Sequence, residues 1–179
     1  MSIKLLQEKI GVTADGAFGP NTLKAAMAFY EMTPYRAAHF FGQTGHETAA
    51  FKLFSENLNY SAGGLKKIFG KYFPGDLEEE YARKPYRGRG ALQLTGKNNY
   101  TAFAKYLDKP EILDDPDLVS NKYAFESAMF FFDKNNLWSI CDKGIDSNTM
   151  TKLTRRINGG TNGLEHRKVL TLKYYEYVK

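Results

Sequence analysis

The sequence predicts a mainly α-helical protein with one minor β element. Apolar residues recur at helical spacing in most segments, whereas weak alternation with two glycines is confined to residues 85–95. The 179 residues are enough for one ordinary domain with a well-filled core. A hydrophobic fraction of 42% and a charged fraction of 25% are typical of a globular chain. We therefore expect residues 1–179 to form a single domain.

The first 32 residues predict two short helices, over 4–10 and 21–31, around a stretch that is rich in turn signals. Asp15-Gly16 and Gly19-Pro20 supply those signals. Residues 1–32 resemble part of the helical peptidoglycan-binding module that many cell-wall enzymes carry. The alternative is a helical hairpin packed on the rest of the domain, because no linker precedes the next helix.

The next helix begins at Thr33-Pro34, which is typical of an N-cap followed by a first helical position. Residues three or four apart lie on the same face of a helix, and this spacing separates an apolar face from a polar face. The apolar face carries Ala37, Phe40, Phe41 and Thr44, and the polar face carries His39, Gln43, His46 and Glu47. Glu47 is a candidate proton donor, because aromatic and small residues flank it. Burial among such residues favours a protonated carboxyl and raises its pKa.

Periodic apolar residues predict the remaining helices, and residues 85–95 predict a loop or short hairpin between them. The helix that ends near 157 is followed by Asn158-Gly159-Gly160, which is typical of a C-cap. The predicted helices cover residues 65–72, 77–82, 100–107, 123–132, 150–157 and 164–178.

A second carboxylate, Glu56, follows Glu47 in the sequence Ser55-Glu56-Asn57-Leu58-Asn59-Tyr60-Ser61. Two carboxylates across a cleft are the usual machinery of glycoside hydrolysis, in which one donates a proton and the other activates water or attacks carbon. When the pair is considered alone, the alternative to a catalytic role is that Glu47 is an ordinary helix glutamate and Glu56 is a surface or capping residue.

Four short motifs occur together in one order. They are His46-Glu47-Thr48, residues 56–61, the segment Tyr86-Arg87-Gly88-Arg89-Gly90 continuing to Gly96, and Arg156-Ile157-Asn158-Gly159-Gly160. In this order they resemble glycoside hydrolase family 19, which contains chitinases and phage endolysins. The resemblance implies a two-lobed lysozyme-like fold with a cleft between the lobes. It also implies inverting hydrolysis, with Glu47 as the general acid and Glu56 as the general base.

The same resemblance extends to residues that would bind sugar or water. Gln93 and Thr95 match positions that contact sugar and position the attacking water, so Thr95 joins the catalytic set. The expected substrate-binding residues are His46, Tyr60, Arg89, Gln93, Asn99 and Asn158, and Arg167 is a further match. Structural roles are the alternatives: a tight glycine loop around Arg89, a helix end at Asn158, and a core or Glu47-orienting role for His46.

Several other classes of site are excluded by the sequence. The loop near Gly88 lacks the Gly-Lys-Ser/Thr of a phosphate-binding loop, and Ala50 breaks the HExxH spacing of zinc enzymes. Cys141 is the only cysteine, so neither a disulfide within the chain nor a cysteine-based zinc cluster can form. We expect no metal and no cofactor.

Charge and hydropathy indicate the partners. The net charge of +5 favours approach to an anionic polymer, but the basic residues are scattered and carry no nucleic-acid-binding signature. Neither a membrane span nor a secretory signal is visible, so we expect no membrane insertion. We also expect the protein to be a monomer.

The sequence therefore predicts an endolysin that hydrolyses the glycan strand of bacterial peptidoglycan. Such an enzyme would wait in the host cytoplasm and reach the wall through a holin-like pore. The alternatives are a chitinase that acts on N-acetylglucosamine polymers and a non-catalytic protein that binds the cell wall.

Overall fold

The computed structural model describes residues 1–55 and 85–179, and these residues are mainly helical. The helices are α1 (Ile3–Lys9), α2 (Pro20–Phe29), α3 (Pro34–Glu47), α4 (Lys97–Leu107), α5 (Glu111–Asp114), α6 (Leu118–Asn121), α7 (Ala124–Lys134), α8 (Trp138–Cys141), α9 (Ser147–Asn158) and α10 (Leu164–Val178). Within those two ranges, β structure is limited to single-residue bridges of Arg89 with Ser55 and with Leu94. The predicted mainly α fold is confirmed. The helices predicted over 65–72 and 77–82 lie outside the described residues.

The ends of two helices follow from local sequence. Thr33 caps α3 by accepting the Arg36 backbone N–H at 3.3 Å, and Pro34 occupies the first helical position. Helix α9 ends at Gly159, whose φ of 77° is left-handed and therefore suits a residue without a Cβ. Both helix ends lie where the sequence predicted them.

Two hydrophobic clusters form the core of the described residues. The larger cluster draws on α1, α2, α3, α7, α8, α9 and α10, and the smaller one draws on α4, α5 and α6. Helix α7 belongs to both, since Phe125 and Phe132 face the larger cluster while Phe130 faces the smaller one. A helix with apolar residues on two faces is buried on both sides, so α7 forms the wall that the two clusters share.

The N-terminal segment packs against the larger cluster. Leu6 and Leu23 are fully buried there, and the ring of Phe18 lies 5.1 Å from that of Phe41. The side chain of Gln7 is also buried, and it donates to Asp15 at 2.7 Å while it accepts the Gly16 backbone N–H at 2.8 Å. The turn-rich stretch is therefore organised by one buried amide, which satisfies backbone groups that would otherwise lack partners.

Helix α10 packs along α3 more extensively than any other described pair of helices. Every residue of α3 from Ala37 to Gly45 is buried, including the polar Gln43. The pairing brings the first turns of α10 beside the last turns of α3. Within residues 1–55 and 85–179, no helix is long and apolar enough to cross a membrane.

Candidate active site

Glu47 is the last residue of α3, and the backbone after it turns sharply. Thr48 ends the helix: its buried Oγ1 donates to the Thr44 carbonyl at 2.7 Å and accepts the Phe51 N–H at 2.9 Å. Ala49, Ala50 and Phe51 all have left-handed φ angles, of 49°, 58° and 64°. Non-glycine residues adopt this conformation at a cost and are enriched at functional sites. The turn leaves Glu47 at the surface end of a buried helix.

Arg167 clamps the Glu47 carboxylate from α10. The guanidinium is 1% exposed; Nη2 donates to Glu47 Oε1, and Nη1 donates to Gln43 Oε1 at 2.6 Å. Its Nε donates to the Asn162 carbonyl at 3.2 Å. The Glu47 side chain is 25% exposed. The sequence predicted an apolar setting for Glu47, whereas the structure gives it a buried cationic partner.

The amide of Gln43 is fixed by the groups on its two sides. Its oxygen faces Arg167, which has only donors, and its Nε2 donates to Thr154 Oγ1 of α9 at 3.1 Å. The orientation of the amide is thus determined by chemistry. A chain of hydrogen bonds runs from α9 through α3 and α10 to the Glu47 carboxylate, and it fixes that carboxylate in place.

His46 lies beside Glu47 and faces a second histidine. Its Nδ1 is 2.8 Å from Nδ1 of His166, which belongs to the first turn of α10. Burial lowers the pKa of His46, and the Arg167 guanidinium and His166 act in the same direction while Glu47 opposes them. The histidine that the sequence placed next to the candidate acid is therefore fixed by a partner 120 residues away.

The loop before α4 and the first turn of α4 place three of the other predicted residues around one pocket. Gln93, Thr95 and Asn99 line a cavity of about 270 Å³, to which Phe130 and Lys134 of α7 also contribute. Thr95 Oγ1 donates to the Gln93 carbonyl at 2.8 Å, and Lys134 donates to Asn99 Oδ1 at 3.2 Å. The side chains that the family resemblance assigned to sugar and water are thus close together.

The same loop packs tightly against α7. Gly90 donates to the Phe54 carbonyl at 2.8 Å, and Ala91 donates to the Ala124 carbonyl at 2.9 Å. Gly90 has a φ of 81°, and a Cβ at this position would fall 2.1 Å from Ser127 Oγ. Only glycine fits, as the glycine-rich pattern predicted.

Arg89 has internal partners that the sequence did not identify. It is 4% exposed, and it pairs with Asp117 at 2.7 Å. It also donates to the Pro85 carbonyl at 2.8 Å and to Tyr100 Oη at 3.1 Å. These contacts hold the loop to α4 and α6. Contact of Arg89 with substrate stays a prediction, and the structure assigns its guanidinium to loop packing.

Three of the predicted residues remain: Asn158, Glu56 and Tyr60. Asn158 is exposed at the end of α9, and its substrate contact stays a prediction. Glu56 and Tyr60 lie outside the described residues, as does any distance between the two glutamates. Among residues 1–55 and 85–179, no group of three or more histidine, cysteine, aspartate or glutamate side chains could hold a metal ion.

Sequence reasoning missed two residues of the site. His166 and Lys134 lie on helices that carry no motif, and each acquires its place only through packing. The apolar periodicity of α7 indicated that this helix was buried, but it could not indicate that Lys134 reaches toward α4. No local signal identified either side chain.

Comparison with known proteins agrees with the motifs. The sequence model of the glycoside hydrolase family 19 described as chitinase class I matches residues 24–144. A Haemophilus influenzae protein described as containing a glycosyl hydrolase family 19 domain is 37% identical over 156 residues, which are 73% of this chain and 74% of that protein. Glu47 and Thr95 lie inside residues 24–144, whereas Asn158, His166 and Arg167 lie beyond them.

Plant chitinases match shorter stretches. An endochitinase of Arabidopsis thaliana is 42% identical over 79 residues, which are 43% of this chain and 26% of the plant protein. Chitinase 8 of Oryza sativa is 33% identical over 108 residues, which are 57% of this chain and 36% of that enzyme. The chain thus spans well under half the length of these plant relatives.

Proposed function

Because the chain belongs to glycoside hydrolase family 19, we propose that it cleaves the glycan strand of bacterial peptidoglycan and acts as an endolysin. Family membership makes it a glycoside hydrolase. The observation that carries the rest of the proposal is the Glu47 carboxylate, which is fixed by the buried Arg167 at the end of α3. A positioned carboxyl is what general acid catalysis requires.

The clamp assigns different tasks to the two Glu47 oxygens. Oε1 accepts the Arg167 Nη2 donor, so this oxygen is occupied. Oε2 accepts no hydrogen bond from the described residues, and we assign to it the proton that passes to the glycosidic oxygen of the leaving sugar. Because Gln43 and Asn162 fix the guanidinium in turn, the carboxyl plane is set before substrate arrives. Such preorganisation supplies part of the barrier reduction.

The attacking water needs a general base that takes its proton and a polar group that positions it. We assign the base to Glu56, which the family resemblance indicates, and the positioning group to Thr95 in the pocket of Gln93 and Asn99. Direct attack by water inverts the anomeric carbon, and it needs the two carboxyls about 6.5–9.5 Å apart. Glu47 donates its proton to the leaving oxygen while Glu56 takes one from the water, so both carboxyls must reset after each turnover.

Peptidoglycan is preferred over chitin for two reasons. The net charge of +5 favours an anionic wall polymer over neutral chitin. Residues 1–32 also resemble part of a peptidoglycan-binding module, and their core is organised by the buried Gln7. Chitin hydrolysis is the second candidate, and it is favoured by the plant relatives whose descriptions read chitinase or endochitinase.

The biological setting follows from this choice of substrate. We propose a bacteriophage enzyme that acts as a monomer, remains in the host cytoplasm until a holin-like pore opens, and then degrades the wall during cytolysis. Binding of residues 1–32 to the wall is part of the same proposal.

The deciding experiment compares wild type with Glu47→Gln on purified peptidoglycan sacculi and on chitin oligosaccharides. Glutamine keeps the size and can still accept from Arg167, but it has no proton to transfer. We expect wild type to release reducing ends from sacculi faster than from chitin, and the folded variant to lose at least about 100-fold in rate. Faster chitin cleavage would select the second candidate, and an active Glu47→Gln would remove Glu47 from the mechanism.

A further inference from the structure

The His46 ring is confined on two sides by the first turn of α10. A Cβ on Gly163 would fall 2.2 Å from Cε1 and 2.3 Å from Nε2 of His46, so the ring lies directly against that glycine. On the other side, Nδ1 of His46 is 2.8 Å from Nδ1 of His166. The same turn of α10 delivers Arg167 to Glu47. One short segment thus sets the positions of two neighbouring residues at the end of α3.

Two facing Nδ1 atoms make a hydrogen bond only in some protonation states. A neutral imidazole has one ring nitrogen that donates and one that accepts, whereas an imidazolium only donates. With both rings neutral, or with one charged, one Nδ1 can carry the proton while the other accepts it. With both rings charged, two N–H groups face each other and two like charges meet.

We propose that His166 is a positioning residue of the active site: its Nδ1 holds the His46 imidazole beside Glu47, and this hold is released when both rings are charged imidazolium ions. His166 is exposed, and within the described part of the chain its ring meets His46 rather than the Glu47 carboxylate, so its effect passes through His46. The kinetic part of the proposal rests on the proposed hydrolysis of a glycan, in which His46 binds substrate.

The charges around His46 set the direction of the pH effect. Arg167 of α10 faces it with positive charge, His166 adds a like charge only when its own ring is charged, and Glu47 of its own helix faces it with negative charge. Burial is the largest influence and favours the neutral ring. The bond between the rings is therefore present at neutral pH and is lost as pH falls below the ordinary histidine range, near 6.5.

The kinetic test uses two substitutions with opposite consequences. His166→Ala deletes the partner, and we expect KM to rise about two- to tenfold at pH 7 with kcat little changed, the range for one hydrogen bond. His166→Asn keeps a partner at every pH, because its amide can donate to neutral His46 or accept from charged His46. It should restore KM, and it should remove the rise of KM that we expect for wild type between about pH 7 and pH 5. Glu165→Gln, an exposed neighbour on α10, is the matched control.

NMR titration of the rings tests the pair without any turnover. The chain has three histidines, so the His46 signals can be assigned with single variants. In wild type His46 should titrate in two coupled steps, and in His166→Ala in one step at higher pH, because a like charge has gone. Unchanged titration of His46 in His166→Ala, or unchanged KM in that variant, would overturn the positioning role. Failure of wild type to cleave any glycan would instead remove the proposed function and leave the titration to decide.

Discussion

Arg167→Met is the most informative perturbation of the candidate site. Methionine keeps an unbranched apolar stem, but it deletes all three donor nitrogens of the guanidinium. The change leaves Gln43 Oε1 and Glu47 Oε1 without their buried partner, and it frees the Asn162 carbonyl. Because Arg167 is 1% exposed, water has little access to the space where the guanidinium lay.

The magnitude follows from these contacts. Removal of one member of a buried ion pair costs about 3–5 kcal/mol when the other member stays dry. The Glu47 side chain is 25% exposed, so water replaces part of the lost interaction. We therefore expect Arg167→Met to lower the free energy of unfolding by about 2–4 kcal/mol. For a chain of this length, the melting temperature would fall by about 4–16 °C.

Thermal and urea unfolding of Arg167→Met, Glu47→Gln and the double variant measure the clamp. Glu47→Gln should cost only about 1 kcal/mol, because the amide oxygen still accepts from Nη2. The double variant should lose less than the sum of the single losses, since the two side chains act on each other. Arg155→Met, on the exposed face of α9, is the control. An Arg167→Met protein within about 0.5 kcal/mol of wild type would refute the clamp.

Three further predictions concern the pocket, the loop and the buried histidine of α3. Thr95→Val should lower kcat more than Thr95→Ser, because only serine keeps the hydroxyl that would hold water; equal rates in a reducing-end assay would leave Thr95 a structural role. Gly90→Ala should destabilise by about 2–4 kcal/mol in urea unfolding, because the new Cβ meets Ser127 Oγ as well as an unfavourable φ. Gly159→Ala shares the φ but has open space, so its cost should be near 1 kcal/mol, and similar losses in both would contradict the steric argument. Burial lowers the pKa of His39, whose Nε2 bonds the Gly144 carbonyl, so stability should fall as pH drops below 6.5. His39→Gln should reduce this dependence of the free energy of unfolding on pH. An unchanged slope in unfolding experiments at several pH values would exclude His39 as its source.

Local chemistry made a large part of the fold predictable. The N-cap at Thr33 and the helix end at Gly159 each depend on a few adjacent residues, so they can be read without knowledge of packing. Glycine at position 90 was also predictable in kind, because a glycine-rich loop indicates close backbone approach. What the pattern could not indicate was that α7 provides the surface that is approached.

The site depended on contacts that no local pattern contains. Arg167 and Glu47 are 120 residues apart, and so are His166 and His46. Periodicity assigned His46 and Glu47 to a polar face, but it could not say which helix would cover that face. The polar face predicted for α3 is in fact divided, because His39 faces the Gly144 carbonyl while Gln43 and Glu47 face α10.

The buried polar residues of α3 are better explained by function than by stability. A leucine in place of Gln43 could pack in the same volume without a hydrogen-bond partner, and buried polar pairs are often no more stable than apolar ones. Gln43 instead joins Thr154 to Arg167, and Arg167 in turn fixes one oxygen of Glu47. The cost of burying these groups is offset by a connected set of hydrogen bonds, one of which ends at the Glu47 carboxylate. An arrangement that orients a single carboxylate, in a chain of this family, is what an acid catalyst needs before its substrate arrives.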